Sequence, residues 1–160
     1  MAEASIFKDL ESDHARHRQM LKQLSETQGD SAERRALFEN LRKELQAHAA
    51  AEEESLYVTM LACPDLRENA RHSVTEHKEI DDFLGALLKI DMASGAWLAK
   101  FKEMRRRYLH HVEEEEKEMF RAAAARLSEA AEQTLAEVFE KRKPRELTLA
   151  EKEMPGDEWE

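Results

Sequence analysis

Apolar residues recur along this chain every three to four positions in four long stretches, the spacing of helices that bury one face. Leu10, Met20, Leu21 and Leu24 mark the first; Leu37, Phe38, Leu41, Leu45, Leu56 and Met60 the second. Ile80, Phe83, Leu84, Leu87 and Leu88 mark the third; Trp97, Leu98, Phe101, Met104, Tyr108, Met119 and Phe120 the fourth. Breakers fall only between stretches, at Gln28-Gly29-Asp30-Ser31, Cys63-Pro64-Asp65, Ser94-Gly95 and Lys143-Pro144. The pattern predicts helices over 3–27, 31–61, 65–92 and 96–126, and a shorter fifth over 128–142. Asp30 and Asp65, each three residues before a glutamate, read as capping-box starts. Short connections force neighbours to run antiparallel, so the expected fold is all-α: an up-down-up-down four-helix bundle with the short fifth helix packed across one end. One domain over 1–143 and an acidic tail over 144–160 follow, the tail either wrapping the bundle or staying mobile, with Trp159 a candidate anchor.

Composition agrees with helices and narrows the partners. Charged residues make up 38% of the 160, with only four Gly and three Pro, too few turn residues for an all-β fold. A net charge of −10 argues against nucleic acid and anionic membranes, since both require a basic surface. No apolar run approaches the roughly 18 residues that span a bilayer. The first ten residues carry Glu3, Lys8 and Asp9 in place of an apolar leader, so a cytoplasmic location is expected. The single Cys63 cannot form an internal bridge and reads as a small residue near a turn in a reducing compartment.

Shifting the sequence by 63 positions lays the first two helices on the next two. His14 then falls on His77, His48 on His111, Glu52 on Glu115, Glu53 on Glu116 and Tyr57 on Phe120. In an antiparallel hairpin two residues share a level when the turn lies midway between them. The midpoints of His14/His48, His48/His77 and His77/His111 are 31, 62.5 and 94, each on a turn already assigned from Gly, Pro and Asp. One histidine from each helix is therefore expected at one level of the bundle.

Glu52 and Glu115 each follow a histidine by four, which puts both members of a pair on one helix face. A single such pair is usually a surface ion pair. Two of them, level with two further histidines, form a convergent metal-ligand set: His14, His48, Glu52, His77, His111 and Glu115. Six ligands exceed a tetrahedral zinc site and suit two octahedral ions, with the carboxylates bridging, two histidines terminal on each ion and the remaining positions left to solvent, oxo or an exogenous ligand. Bundle cores build such sites for di-iron or di-manganese centres. His17 could point near the site, but a surface or rim role is expected for it and for His72, and His110 lies outside the repeat. Glu53, Glu114 and Glu116 read as solvated charges with some chance of bonding ligand imidazoles. Tyr57 and Tyr108 read as core residues, although a phenol near two metals can donate a proton.

Asp13-His14, His48-Ala-Ala-Ala-Glu52-Glu53-Glu54-Ser55-Leu56-Tyr57 and His111-Val-Glu-Glu-Glu115-Glu-Lys-Glu-Met-Phe120 closely resemble the motifs of the hemerythrin-like, HHE cation-binding domain family, over residues 3–126. The resemblance implies a four-helix bundle holding a non-haem di-iron centre, two Fe ions per chain with Mn or Zn as possible substitutes, with His14 and His48 on one iron, His77 and His111 on the other, and Glu52 and Glu115 bridging. Oxygen-carrying members place a further histidine where this chain has Ser73, and the family's usual proline after the aromatic of the second helix is Val58 here, a minor departure. The Ser73 departure argues against reversible oxygen carriage and for a more open coordination sphere. It brings the chain closer to members linked to nitric oxide, oxidative stress or iron-sulfur cluster repair, although the N-terminal cysteine-bearing domain usual in repair members is not in this sequence. The function implied is a centre that binds, senses or scavenges O2, nitric oxide or peroxide, or holds iron; the alternative is an enzyme turning over peroxide or serving cluster repair.

Overall fold

A computed structural model describes residues 4–156, and every regular element among them is helical. Helix α1 spans Ile6–Ser25. Helix α2, Ala32–Glu52, runs without interruption into a π-helical turn, Glu53–Tyr57, and then α3, Val58–Leu61. After α4, Arg67–Lys89, the arrangement repeats: α5, Gly95–Glu114, a π-helical turn, Glu115–Met119, and α6, Phe120–Ala124. The last helix, α7, is Glu129–Ala150.

Serine hydroxyls start four of these helices by accepting an otherwise unpaired backbone N–H, each worth about 1 kcal/mol. Ser5 accepts from Phe7, Ser31 from Arg34, Ser94 from Trp97 and Ser128 from Ala131. The two expected aspartate caps are not used. Ser31 takes the position assigned to Asp30, whose carboxylate pairs with Arg35 instead. Helix α4 begins after Leu66 with no side-chain cap, and Asp65 pairs with Arg126. Gly29, at φ 63°, provides the left-handed step that closes the first turn.

Side-chain contacts fix the helix directions. Asp13 meets His48 while Thr27 meets Arg34, so α1 and α2 are antiparallel. Glu76 with His111 and Glu79 with Arg107 give the same result for α4 and α5. His14 with Glu116 and Ser25 with Arg105 give it for α1 and the α5–α6 rod. Helix α2 also touches α4, so the four rods close on one another. Their buried apolar residues form two clusters. Ile6, Phe7, Leu56, Met60 and Phe120 belong to one, and Leu24, Phe38, Leu84, Trp97 and Phe101 to the other. The histidine level lies between them.

Helix α7 corrects the expectation of a short fifth helix laid across one end. It passes through Pro144 to Ala150 and packs lengthwise on α2, with further contacts to α1. A mid-helix proline costs about 3 kcal/mol by removing a hydrogen bond and crowding the preceding turn. Tertiary anchoring offsets it. Lys143 and Ala150 are buried, and Arg42 of α2, itself fully buried, donates to the Ala150 carbonyl at 3.0 Å and the Glu153 carbonyl at 3.2 Å. The segment after α7 stays on the body of the protein: Gln46 donates to the Glu153 carbonyl, and Pro155 lies beside Gly85 of α4. Trp159 lies outside the described residues. No helix among those described is long and apolar enough to cross a membrane.

Candidate metal centre

The six residues selected by spacing meet in the polar layer between the two apolar clusters, none more than 7% exposed. They form two groups that share Glu52. His14, His48 and Glu52 offer ligand atoms within 4.8 Å of one another, and so do Glu52, His77, His111 and Glu115. His111 Nε2 is 2.7 Å from Glu115 Oε2, and His77 Nε2 is 3.2 Å from Glu52 Oε1.

Both π-helical turns lie at this layer. Val58 N–H reaches back to the Glu53 carbonyl and Phe120 N–H to the Glu115 carbonyl, five residues rather than four. The extra residue per turn lets Glu52 and Tyr57, and likewise Glu115 and Phe120, all be buried although each pair is five apart.

Each of the four histidines turns one nitrogen outward to a carboxylate. Nδ1 of His14 is 3.0 Å from Glu116, that of His48 2.8 Å from Asp13, that of His77 3.4 Å from Glu53, and that of His111 2.8 Å from Glu76. A carboxylate behind an imidazole fixes its tautomer and makes the other nitrogen a better electron-pair donor. The inner atoms make no hydrogen bonds: Nε2 of His14 and His48, both oxygens of Glu52 and Oε1 of Glu115 are buried with none. Buried polar atoms are rarely left so, and five in one layer form a donor set suited to a cation.

Electrostatics say the same. Burial holds His48 down at about 3, so its imidazole is neutral with a free lone pair. Burial, then the neighbouring Glu115 charge, pushes the Glu52 carboxyl well above the carboxylate range. Burial acts the same way on Glu115 and is the largest single influence, but the charge on His111, its contact at 2.7 Å and the neighbouring Glu52 together outweigh it and hold that carboxyl well below the range. Two buried carboxylates this close need positive charge between them, which imidazole-rich sites for iron, zinc or manganese supply. The donor set therefore fits a metal.

Several neighbours differ from expectation. His17 has no surface or rim role: it is fully buried, with Nδ1 2.6 Å from the Tyr108 hydroxyl and Nε2 3.4 Å from Glu44. Its spacing of three from His14 already put it on the same face. His72 and His110 are exposed, and Glu114 faces both. Glu53 and Glu116 stand behind the imidazoles of His77 and His14 and are not merely solvated. Asp13 and Glu76 were not singled out for this role, yet they stand 63 apart, as do Glu53 and Glu116, so the repeat carries the outer carboxylates as well. Ser73 is buried, and its hydroxyl donates to the Met119 sulfur at 3.1 Å. Tyr57 stands close by, donating to Glu115 at 3.1 Å with its oxygen 3.4 Å from His77 Nε2.

The family model of the hemerythrin HHE cation binding domain matches residues 5–123. A crystal structure of a hemerythrin HHE cation binding domain-containing protein from Mycobacterium kansasii shares the fold, with a TM-score of 0.81 and 23% identity over 93% of this chain and 90% of that one. No curated protein matches the chain.

Proposed function

Since the chain belongs to the hemerythrin HHE cation-binding domain family, we propose that its polar layer, set within an up-down-up-down four-helix bundle, holds two iron ions and that the loaded centre binds O2, nitric oxide or peroxide. His14 and His48 would hold one ion, His77 and His111 the other, with Glu52 and Glu115 between them. The observation that carries this reading is the set of inward atoms on His14, His48, Glu52 and Glu115 that make no hydrogen bond. Iron bound there supplies redox chemistry and coordination positions for a small ligand.

The chain's own contribution is placement and exclusion. Four carboxylates orient the four imidazoles, and the two apolar clusters on either side keep bulk water from the layer. A reducing cytoplasm suits the free Cys63. Metal analysis of protein grown with added iron, followed by anaerobic optical titration of the reduced form against O2, nitric oxide and peroxide, tests the proposal. Near two ions per chain and a spectral change with at least one ligand are expected; a reproducible metal content of zero would overturn it.

Tyr57 favours a second reading, an enzyme that consumes peroxide. Burial, then the neighbouring Glu115 charge, raises its phenol well above the ordinary value, so it keeps its proton at neutral pH, 3.1 Å from Glu115. Steady-state peroxide consumption that collapses in Tyr57→Phe at unchanged iron content separates this reading from simple binding.

A further inference from the structure

The outer side of α4 and α5 carries a second set of His-x-x-x-Glu pairs. His72 precedes Glu76 by four and His110 precedes Glu114 by four, so each pair projects from one face of its helix. The two helices pack together, and across the seam His72, Glu76 and Glu114 offer ligand atoms within 4.8 Å of one another, with His110 beside Glu114. His72 Nε2 lies 3.5 Å from Glu76 and 3.4 Å from Glu114, and His110 Nε2 lies 3.4 Å from the other oxygen of Glu114. These separations exceed the usual N–H···O length of about 3.0 Å. They match the spacing of ligands around an ion, since donors about 2.1 Å from a tetrahedral centre stand about 3.4 Å apart.

The repeat does not demand this arrangement. Shifted by 63, His110 and Glu114 fall on Ala47 and Ala51, both buried. What distinguishes the α4–α5 side is a cavity lined by His72, Glu76 and Glu114 at the surface and by Ser73, Met119 and Glu115 within. Glu115 is 1% exposed and its Oε1 has no hydrogen-bond partner. Glu76 belongs to both layers, since the carboxylate beside His72 also accepts from His111 Nδ1 at 2.8 Å. Two imidazoles and two carboxylates suit a divalent first-row transition ion and disfavour any anion.

We propose that His72, Glu76, His110 and Glu114 bind one divalent transition-metal cation at the surface and pass it along the cavity beside Ser73 to the buried layer. Binding stands on these four side chains alone; delivery rests on the reading of the buried layer as a metal centre.

Because His72 and His110 are exposed, the double variant His72→Ala/His110→Ala tests the site without threatening the fold. Equilibrium dialysis of the metal-free chain against Co2+ should show one fewer ion bound by the variant than by the wild type. Glu52→Gln/Glu115→Gln should lose the buried ions and keep the surface one, so failure of the buried reading leaves the surface count intact. In stopped-flow Fe2+ uptake, the histidine variant should fill the buried layer severalfold more slowly and reach the same final content. Equal Co2+ counts in wild type and histidine variant would overturn the surface site. A lower count with unchanged uptake rate would overturn delivery.

Discussion

The α1–α2 hairpin and the α4–α5 hairpin present the same inner face and different backs. The four histidines, Glu52 and Glu115, and the outer carboxylates all repeat at 63 residues, with Asp13 matching Glu76 and Glu53 matching Glu116. Behind the first hairpin, α7 supplies the buried Lys143, whose ammonium donates to Asp13 at 2.7 Å and Glu44 at 2.8 Å. Behind the second, Glu76 faces the exposed His72, and among the described residues no helix covers the pair. The inner face is constrained by convergence on one point, whereas each back is free to diverge. Sealing one half and leaving the other at the surface gives two near-identical half-sites different access.

The change that ignores this difference should have the largest effect. Glu52 is shared by both ligand groups, and Glu115 stands at its repeat position. Glu52→Ala or Glu115→Ala should therefore strip metal from both halves, beyond the roughly 10- to 100-fold loss of affinity typical of removing an outer partner. Iron content per chain measured beside His17, His72 and His110 variants checks it. Equal losses in the two sets would mean that these carboxylates do not belong to both half-sites.

The shared inner face is also the part that was legible beforehand. Periodicity and breakers located four helices, and three turn midpoints placed four histidines on one level, because helix rise is uniform and the turns are short. The backs were not legible. Pro144 reads locally as a stop, and only the tertiary grip of Arg42 on the carbonyls after it shows why the helix continues. The π-helical turns leave no signature in residue type. Asp13 and Glu76 were visible in the repeat but differ in residue type, so a search for identities passes over them.

Lys143 gives the next effect and is confined to the first half. Lys143→Met leaves two buried carboxylates without their shared cation, a loss of about 3 kcal/mol, toward the low end for a broken buried pair because Arg16 still reaches both. Its pH dependence has a definite sign. Burial raises the Glu44 carboxyl, but hydrogen bonds from His17 and Lys143 outweigh it and bring it from the ordinary 4.5 down to about 2. A depressed acid contributes stability above its unfolded pKa and loses it as pH falls through the folded one. The contribution is thus complete above about 4.5 and lost toward about 2. Without Lys143 the folded value rises and the acid transition should move to higher pH. Urea melts from pH 7 to 2.5 on wild type and variant check both; coincident acid limbs would show that Lys143 does not hold Glu44 ionised.

The smallest expected effect lies at a pair of inner positions where the halves diverge. His17 shifted by 63 is Ile80, and Leu45 shifted the same way is Tyr108, so one hairpin contributes an imidazole and the other a phenol where their counterparts are apolar. His17 sits near His48, with ring centroids 4.9 Å apart, and with Asp13 and His48 it groups closely enough to hold an ion. Both of its nitrogens are nevertheless engaged, one with Tyr108 and one with Glu44. Burial also lowers its pKa, so it is a neutral link between phenol and carboxylate. His17→Ile restores the symmetric residue and should leave the metal count unchanged. It strands the Tyr108 hydroxyl, at a cost of about 1–3 kcal/mol for an unsatisfied buried group. His17→Ile/Tyr108→Leu, which makes both positions match their partners, should recover most of that loss, since replacing both members of a pair by apolar groups is close to neutral. Thermal melts and metal analysis on the single and double variants read the two quantities separately. A metal count that drops by one in His17→Ile would make His17 a ligand and the two half-sites unequal at the metal itself.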